Sequence, residues 1–225
     1  MTPEIHYIET RYSFASSTYE IEAGRYITDY HVDIYAHLCN DDFEEPEPLL
    51  IGKAKLTLLL LGLAIENNFD YYYIFDNSRV LCDLGSEIFD WEEREFKPKF
   101  EEFAIASLNH NILYLDRIEI LPEYRNGGWG KKVIKDILCR FCDSFGVMIL
   151  KSFPLQFEGR DSDIKSDDEW TKLMKYEATE QDEKLATKKL NDFYKSFGFK
   201  RLFNDNYFFY NSAYKNSKLK KIKID

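Results

Sequence analysis

The sequence predicts an α/β (α+β) chain, and three stretches carry that expectation. RYITDYHVDIYAHL, Arg25 to Leu38, alternates and is rich in β-branched and aromatic residues, the pattern of a strand with one buried face. NILYLDRIEIL, Asn111 to Leu121, is a second strand; a glycine-rich turn, a helical pattern and the apolar run VMILKSF, Val147 to Phe153, follow it. Strand, turn, helix and strand in that order make a βαβ unit. Two short aromatic stretches near the C-terminus, FKRLF and YFFYN, add β structure after a further helix.

In chain order, Asn40 to Pro48 is acidic, contains two prolines and reads as a loop. Leu49 to Ile65 reads as one long strand, bent at Gly52 or Gly62 and antiparallel to the first. Asp76, Asn77 or Ser78 caps a helix running to about Phe89, and Lys97 to Leu108 forms another short helix. Pro122 ends the central strand. From Gly130 to Phe145, Val133, Ile134, Ile137, Leu138, Phe141 and Phe145 fall on one helical face, and Gly146 stops the helix. Glu158 to Trp170 is a polar loop, and Glu183 to Phe197 is a helix ended by Gly198. The two final strands flank an Asn204 to Asn206 turn. Residues 1–214 form one domain; 215–225 is a basic tail, read as mobile.

Composition narrows the function classes. With 16% aromatic residues the chain has ample material for a core. A formal charge of -10 repels phosphate backbones, so nucleic acid is not expected as a partner and cationic molecules are. Four cysteines do not make a disulfide scaffold. Cys139 and Cys142 form a C-x-x-C, but nothing in the sequence completes a metal site, so no metal is expected and both read as small core-facing residues. The N-terminus has no basic and apolar leader pattern. The longest apolar run, Leu56 to Ile65, is about half of what a bilayer span needs and reads as a buried strand. No membrane association and a cytoplasmic location are expected.

The glycine turn is the most informative motif. Arg125-Asn126-Gly127-Gly128-Trp129-Gly130 connects a strand to a helix. Without Cβ atoms an anion can approach the backbone, and the first helical turn offers unpaired N–H groups and a partial positive charge. Such a turn binds a pyrophosphate, with Lys131 and Lys132 adding charge; glycine richness alone is equally compatible with a plain turn. The P-loop and Rossmann fingerprints are both absent.

IEILPEYRNGGWGKKVI resembles the acetyl-CoA-binding motif of the GNAT acyltransferase superfamily, [QR]-x-x-G-x-[GA], with Arg125, Gly128 and Gly130 in its fixed positions. NDFYKSFGFKRL, Asn191 to Leu202, is similar to that family's late FYxxxGF segment. The resemblance is specific from about Leu113 to Tyr210 and schematic over residues 25–65. It implies a mixed, twisted sheet of about six to seven strands, flanked by helices, whose central strands splay apart. Acetyl-CoA would lie in that V as co-substrate, its pantetheine paired with backbone at Ile118, Glu119 and Ile120. Backbone N–H groups of Asn126, Gly127, Gly128, Trp129, Gly130 and Lys131 would hold the pyrophosphate.

The implied reaction is direct transfer of an acetyl group to an amine. Tyr194, in the position of the motif tyrosine, would protonate the departing thiolate. Glu119 leads as base, ahead of Asp116 and Glu123; a solvated strand carboxylate is the alternative for it. Thr187 and Leu190 stand where many relatives have Asn and Ala, which keeps a non-catalytic acyl-CoA-binding protein as the other reading. The acceptor would be a cationic small-molecule or peptide amine; the acidic stretches Asp41–Glu47, Glu92–Glu95 and Asp161–Glu169 read either as its steering field or as ordinary solvated loops. A homodimer is implied by analogy with the family.

Overall fold

The computed structural model describes residues 5–15, 22–38, 47–158 and 169–223. The chain begins with β1 (Ile5–Ser13), β2 (Ile27–Leu38) and β3 (Leu49–Leu59), which pair antiparallel in that order. Three helices follow, α1 (Leu61–Glu66), α2 (Tyr71–Phe75) and α3 (Arg79–Ile88). A small hairpin of β4 (Phe89–Asp90) and β5 (Glu95–Phe96) leads into α4 (Pro98–Ala104). Then come β6 (Ile112–Ile120), α5 (Trp129–Arg140), β7 (Val147–Lys151), α6 (Glu169–Leu173), α7 (Glu183–Ser196), β8 (Tyr207–Asn211) and α8 (Ser217–Lys220).

The main sheet is six-stranded, in the order β1-β2-β3-β6-β7-β8. Only the β6–β7 pair is parallel, so the sheet is mixed. This is the sheet that the acyltransferase resemblance implies. Period-two alternation gives each face its own core. On one face Val32, Ile34, Leu56, Leu113, Leu115 and Met148 pack with Val133, Ile134 and Ile137 of α5, with Tyr194 of α7 and with Phe197 just after it. On the other, Leu59, Ile112, Tyr114, Ile149 and Phe209 pack with Leu61, Phe75, Leu84, Ile88 and Phe100. Ser78 caps α3 by accepting from the Leu81 N–H at 3.2 Å, one of the three expected caps.

Several expectations are corrected. The strand read over Leu49 to Ile65 stops at Leu59, and the rest of the apolar run turns into α1. There Leu61 and Ala64 are buried while Leu63 and Ile65 are exposed, a helical spacing that an unbroken apolar run conceals. FKRLF is no strand; it contributes one bridge, Lys200 to Phe209. Helix α5 ends at Arg140, short of Phe145, and Cys139 and Cys142 are exposed rather than core-facing. The apolar stripe of α5 runs through Ile134, Ile137 and Leu138, and Cys139 falls past its edge. Trp170 belongs to α6, not to a loop. Residues 159–168 and 39–46, with most of two expected acidic loops, lie outside the described residues.

The basic tail is structured over 216–223. Asn216 caps α8 through the N–H groups of Lys218 and Leu219, both at 3.1 Å, and its amide donates to the Phe197 carbonyl at the end of α7. Leu219 and Ile222 pack on the core.

Candidate active site

The site is built on a fork. β6 pairs with β3 out to Ile120, but with β7 only over Ile112–Leu115. Beyond Leu115 the two parallel strands separate, and among the described residues one edge of residues 116–120 has no neighbouring strand. The Leu121 N–H donates to the Ile51 carbonyl on β3 at 2.8 Å. By the alternation of a strand, the backbone groups of Ile118 and Ile120 therefore point into the gap. The Ile120 carbonyl is taken by Arg125 Nε at 2.9 Å.

A cleft of about 850 Å³ opens there. Its walls include Ile118, Glu119 and Ile120 of β6, Arg125, Asn126, Gly128, Trp129, Gly130 and Lys131 at the turn into α5, and Leu190 and Tyr194 of α7. Of the residues expected at the site, Gly127, Lys132 and the weaker base candidate Glu123 do not line it; a Cβ on Gly127 would come within 2.5 Å of the Trp129 indole nitrogen. The expected steering stretch Glu92–Glu95 belongs to the β4–β5 hairpin and does not line the cleft. Thr187 does not line the cleft but a separate surface groove, whereas Leu190 does line it.

The turn has the backbone that an anion site needs. Asn126 and Gly128 are left-handed, at φ 66° and 78°. Gly128 is the N-cap of α5, and among the described residues no side chain caps that end. The first helical bonds are Lys131 N–H and Lys132 N–H to the Gly128 carbonyl, at 2.9 and 3.2 Å. Among the described residues, the N–H groups of Asn126 to Gly130 have no partner, as the start of a helix leaves them. A Cβ built on Gly128 meets nothing within 4 Å, because that position faces open cleft. Among the described residues, five cationic side chains (Arg117, Arg125, Lys131, Lys151, Lys189) and three carboxylates (Asp116, Glu119, Glu180) line the cleft, in a protein whose net charge is -10.

Arg125, the fixed cation of the motif, turns away from the helix N-terminus. Besides the Ile120 carbonyl it reaches the Met174 carbonyl at 3.2 Å, bracing the end of β6 against the segment after α6. Glu119 is 6% exposed and serves as a hub. It accepts from Trp170 Nε1 at 3.2 Å, from the Tyr176 hydroxyl and, more weakly, from Arg117 at 3.4 Å. Lys53 lies 4.6 Å over the Trp170 ring and covers the hub. Burial and the Glu119 carboxylate push the Tyr176 phenol above its ordinary range. Trp170 and Tyr176 were not expected at the site; they lie 51 and 57 residues from Glu119, and nothing in the sequence pairs them with it.

Tyr194 is buried among Phe193, Phe199 and Phe208, with its edge on the cleft. Burial alone raises its phenol, so the hydroxyl stays protonated throughout the physiological range. Asp116 stands at the fork itself, ion-paired with Lys55 at 3.5 Å. Among the described residues no His, Cys, Asp and Glu cluster could hold a metal, and no helix is long and apolar enough to cross a membrane.

No protein-family model matches the sequence, and no curated protein matches it. Solved structures similar to the chain include a tyrosine-to-phenylalanine mutant of KacT, 14% identical, with 84% of this chain and 73% of that chain covered and a TM-score of 0.40. The KacTA–DNA complex is 11% identical over 91% of this chain and 94% of that one, with a TM-score of 0.38. A mutant AtaT toxin, bound to the C-terminus of the antitoxin AtaR and acetyl-CoA, is 11% identical over 90% and 93%, with a TM-score of 0.36.

Proposed function

We propose that the cleft binds acetyl-CoA and that the protein is an N-acetyltransferase acting by direct attack of an acceptor amine. One observation carries this reading: the unpaired edge of β6, the unpartnered N–H groups of Asn126 to Gly130 and the edge of Tyr194 converge on one cleft. The pyrophosphate sits on the N-terminus of α5 beside Lys131. The pantetheine follows β6 from Ile120 toward Asp116, pairing with the backbone at Ile118 to Ile120. Residues 116–120 rise about 13 Å along the strand, so the thioester comes to lie near the fork.

At the fork the amine attacks the thioester carbonyl, the C–S bond breaks, and Tyr194 gives the departing sulfur a proton. Glu119 lies about 10 Å along β6 from Asp116 and receives the amine's proton through water. Its three donors fix the orientation of that carboxylate. Asp116 is the nearer carboxylate, with Lys55 as its counter-ion. The acceptor is a cationic small-molecule or peptide amine. It reaches the fork from the opposite sheet face, where Asp83 of α3 adds negative charge.

Melting temperature with acetyl-CoA, CoA, ATP and NADH tests the binding. Stabilisation by the two CoA species alone supports the reading. No shift with either removes it. Thiol release over a panel of amines then separates an enzyme from an acyl-CoA-binding protein: binding without turnover on any amine favours the latter.

A further inference from the structure

The lining of the cleft includes a lysine on the bank of the fork, beside the place where the acyl group would sit. Lys151 is the last residue of β7 and directly follows Leu150, whose pairing with Leu115 is the last rung before the strands part. Asp116 and Lys151 are thus the first residues on the two banks of the fork, and both line the cleft with Tyr194. The Lys151 ammonium is 3.9 Å from the Asp83 carboxylate and 5.4 Å over the Tyr207 ring, and its side chain remains 42% exposed. Below it, the Tyr207 hydroxyl is buried and, among the described residues, has no hydrogen-bond partner. Among the described residues the other two lysines lining the cleft sit elsewhere: Lys131 is on the first turn of α5, over Phe193 and Phe197, and Lys189 is paired with Glu180 at 2.7 Å.

The geometry points to Lys151 as an intramolecular acyl acceptor, a self-acylation site of the protein; this rests on the acetyl-CoA reading above. The ammonium gives one proton to Asp83 and from there to solvent. The freed nitrogen attacks the thioester carbonyl, an N–C bond forms and the C–S bond breaks. The second nitrogen proton ends on sulfur, so the products are an acetylated Lys151 and free CoA thiol. Acetylation removes the charge that pairs with Asp83 and places an amide at the mouth of the acceptor side, so each modified molecule carries a fork already filled.

The test is incubation of the full-length protein with acetyl-CoA, followed by peptide mass spectrometry at several times. The expected result is one acetyl group on Lys151, gained on the order of tenfold or more faster than on the exposed Lys184 and Lys188, because the reaction is intramolecular within the bound complex. Lys151→Arg should lose that label and keep the rise in melting temperature given by free CoA. Tyr194→Phe should slow labelling at Lys151 while leaving Lys184 unchanged. Stabilisation by CoA with Lys151 labelled no faster than Lys184 overturns this inference and leaves the acetyl-CoA site standing. Absence of any CoA stabilisation overturns both.

Discussion

Replacing Gly128 asks two questions of the turn at once, and the structure separates them. Gly128 has φ 78°, and a Cβ there meets nothing within 4 Å. Alanine therefore has no clash to relieve, and its penalty is the left-handed backbone, about 1–2 kcal/mol. For a chain of this size that corresponds to roughly 2–8 °C in melting temperature. Asparagine tolerates the left-handed region far better, so Gly128→Asn should melt close to the parent protein. Both side chains project into the cleft in front of the free N–H groups. At about 100 Kd of acetyl-CoA the parent should gain about 2.7 kcal/mol, or roughly 5–10 °C. Gly128→Asn should lose most of that gain while keeping its unliganded stability. The assay is differential scanning calorimetry with and without acetyl-CoA. A ligand-induced shift in Gly128→Asn equal to the parent's would sink the assignment of this turn as the anion cradle.

Tyr194→Phe removes a hydroxyl that has no hydrogen-bond partner among the described residues, so stability should change by less than about 1 kcal/mol. Acetyl transfer should fall on the order of a hundredfold or more with CoA affinity unchanged; an undiminished rate removes this tyrosine from the acid role. Burial, then Asp205, hold the Glu87 carboxyl up at about 7, against Lys97 and Arg201. Because the folded state favours protonated Glu87, its contribution is complete below the ordinary carboxylate range and is lost as pH rises through about 7. Glu87→Gln should flatten that part of the curve of melting temperature against pH, and an unchanged slope would contradict the burial argument. A Cβ on Gly146 would overlap the Asn109 carbonyl oxygen, a backbone atom that cannot swing aside. Gly146→Ala should lose about 1–3 kcal/mol or more in urea unfolding.

The parts of the site that were legible in the sequence are those whose chemistry is local. Three glycines between a strand and a helix specify a turn that lets a left-handed residue precede free N–H groups, and the structure has that turn. The apolar positions of α5 gave its buried face. What stayed hidden depends on distant partners or on mixed patterns. β1 interleaves His6, Glu9 and Arg11 with Ile5, Ile8 and Tyr12, and only its pairing with β2 makes it a strand. The run Leu56 to Ile65 is apolar in both a strand and a helical reading, so its switch at Leu60 has no sequence mark. Glu119 looked like a free carboxylate because Trp170 and Tyr176 come to it from another part of the chain. The tail looked unanchored because charge dominates it, while its hold on the core rests on Asn216, Leu219 and Ile222.

The half-bare edge of β6 makes this sheet unfinished. For four of its nine residues the strand has a neighbour on each side, and for the remainder only on one. A thread carrying amide groups at near-peptide spacing can take the vacant place as a prosthetic strand. Occupancy would then register in the protein as added backbone order. The Ile118 and Ile120 amides, which face the cleft, should become slow to exchange with solvent deuterium once the thread is in place. Those of Glu119 and Leu121, which face β3, should change little.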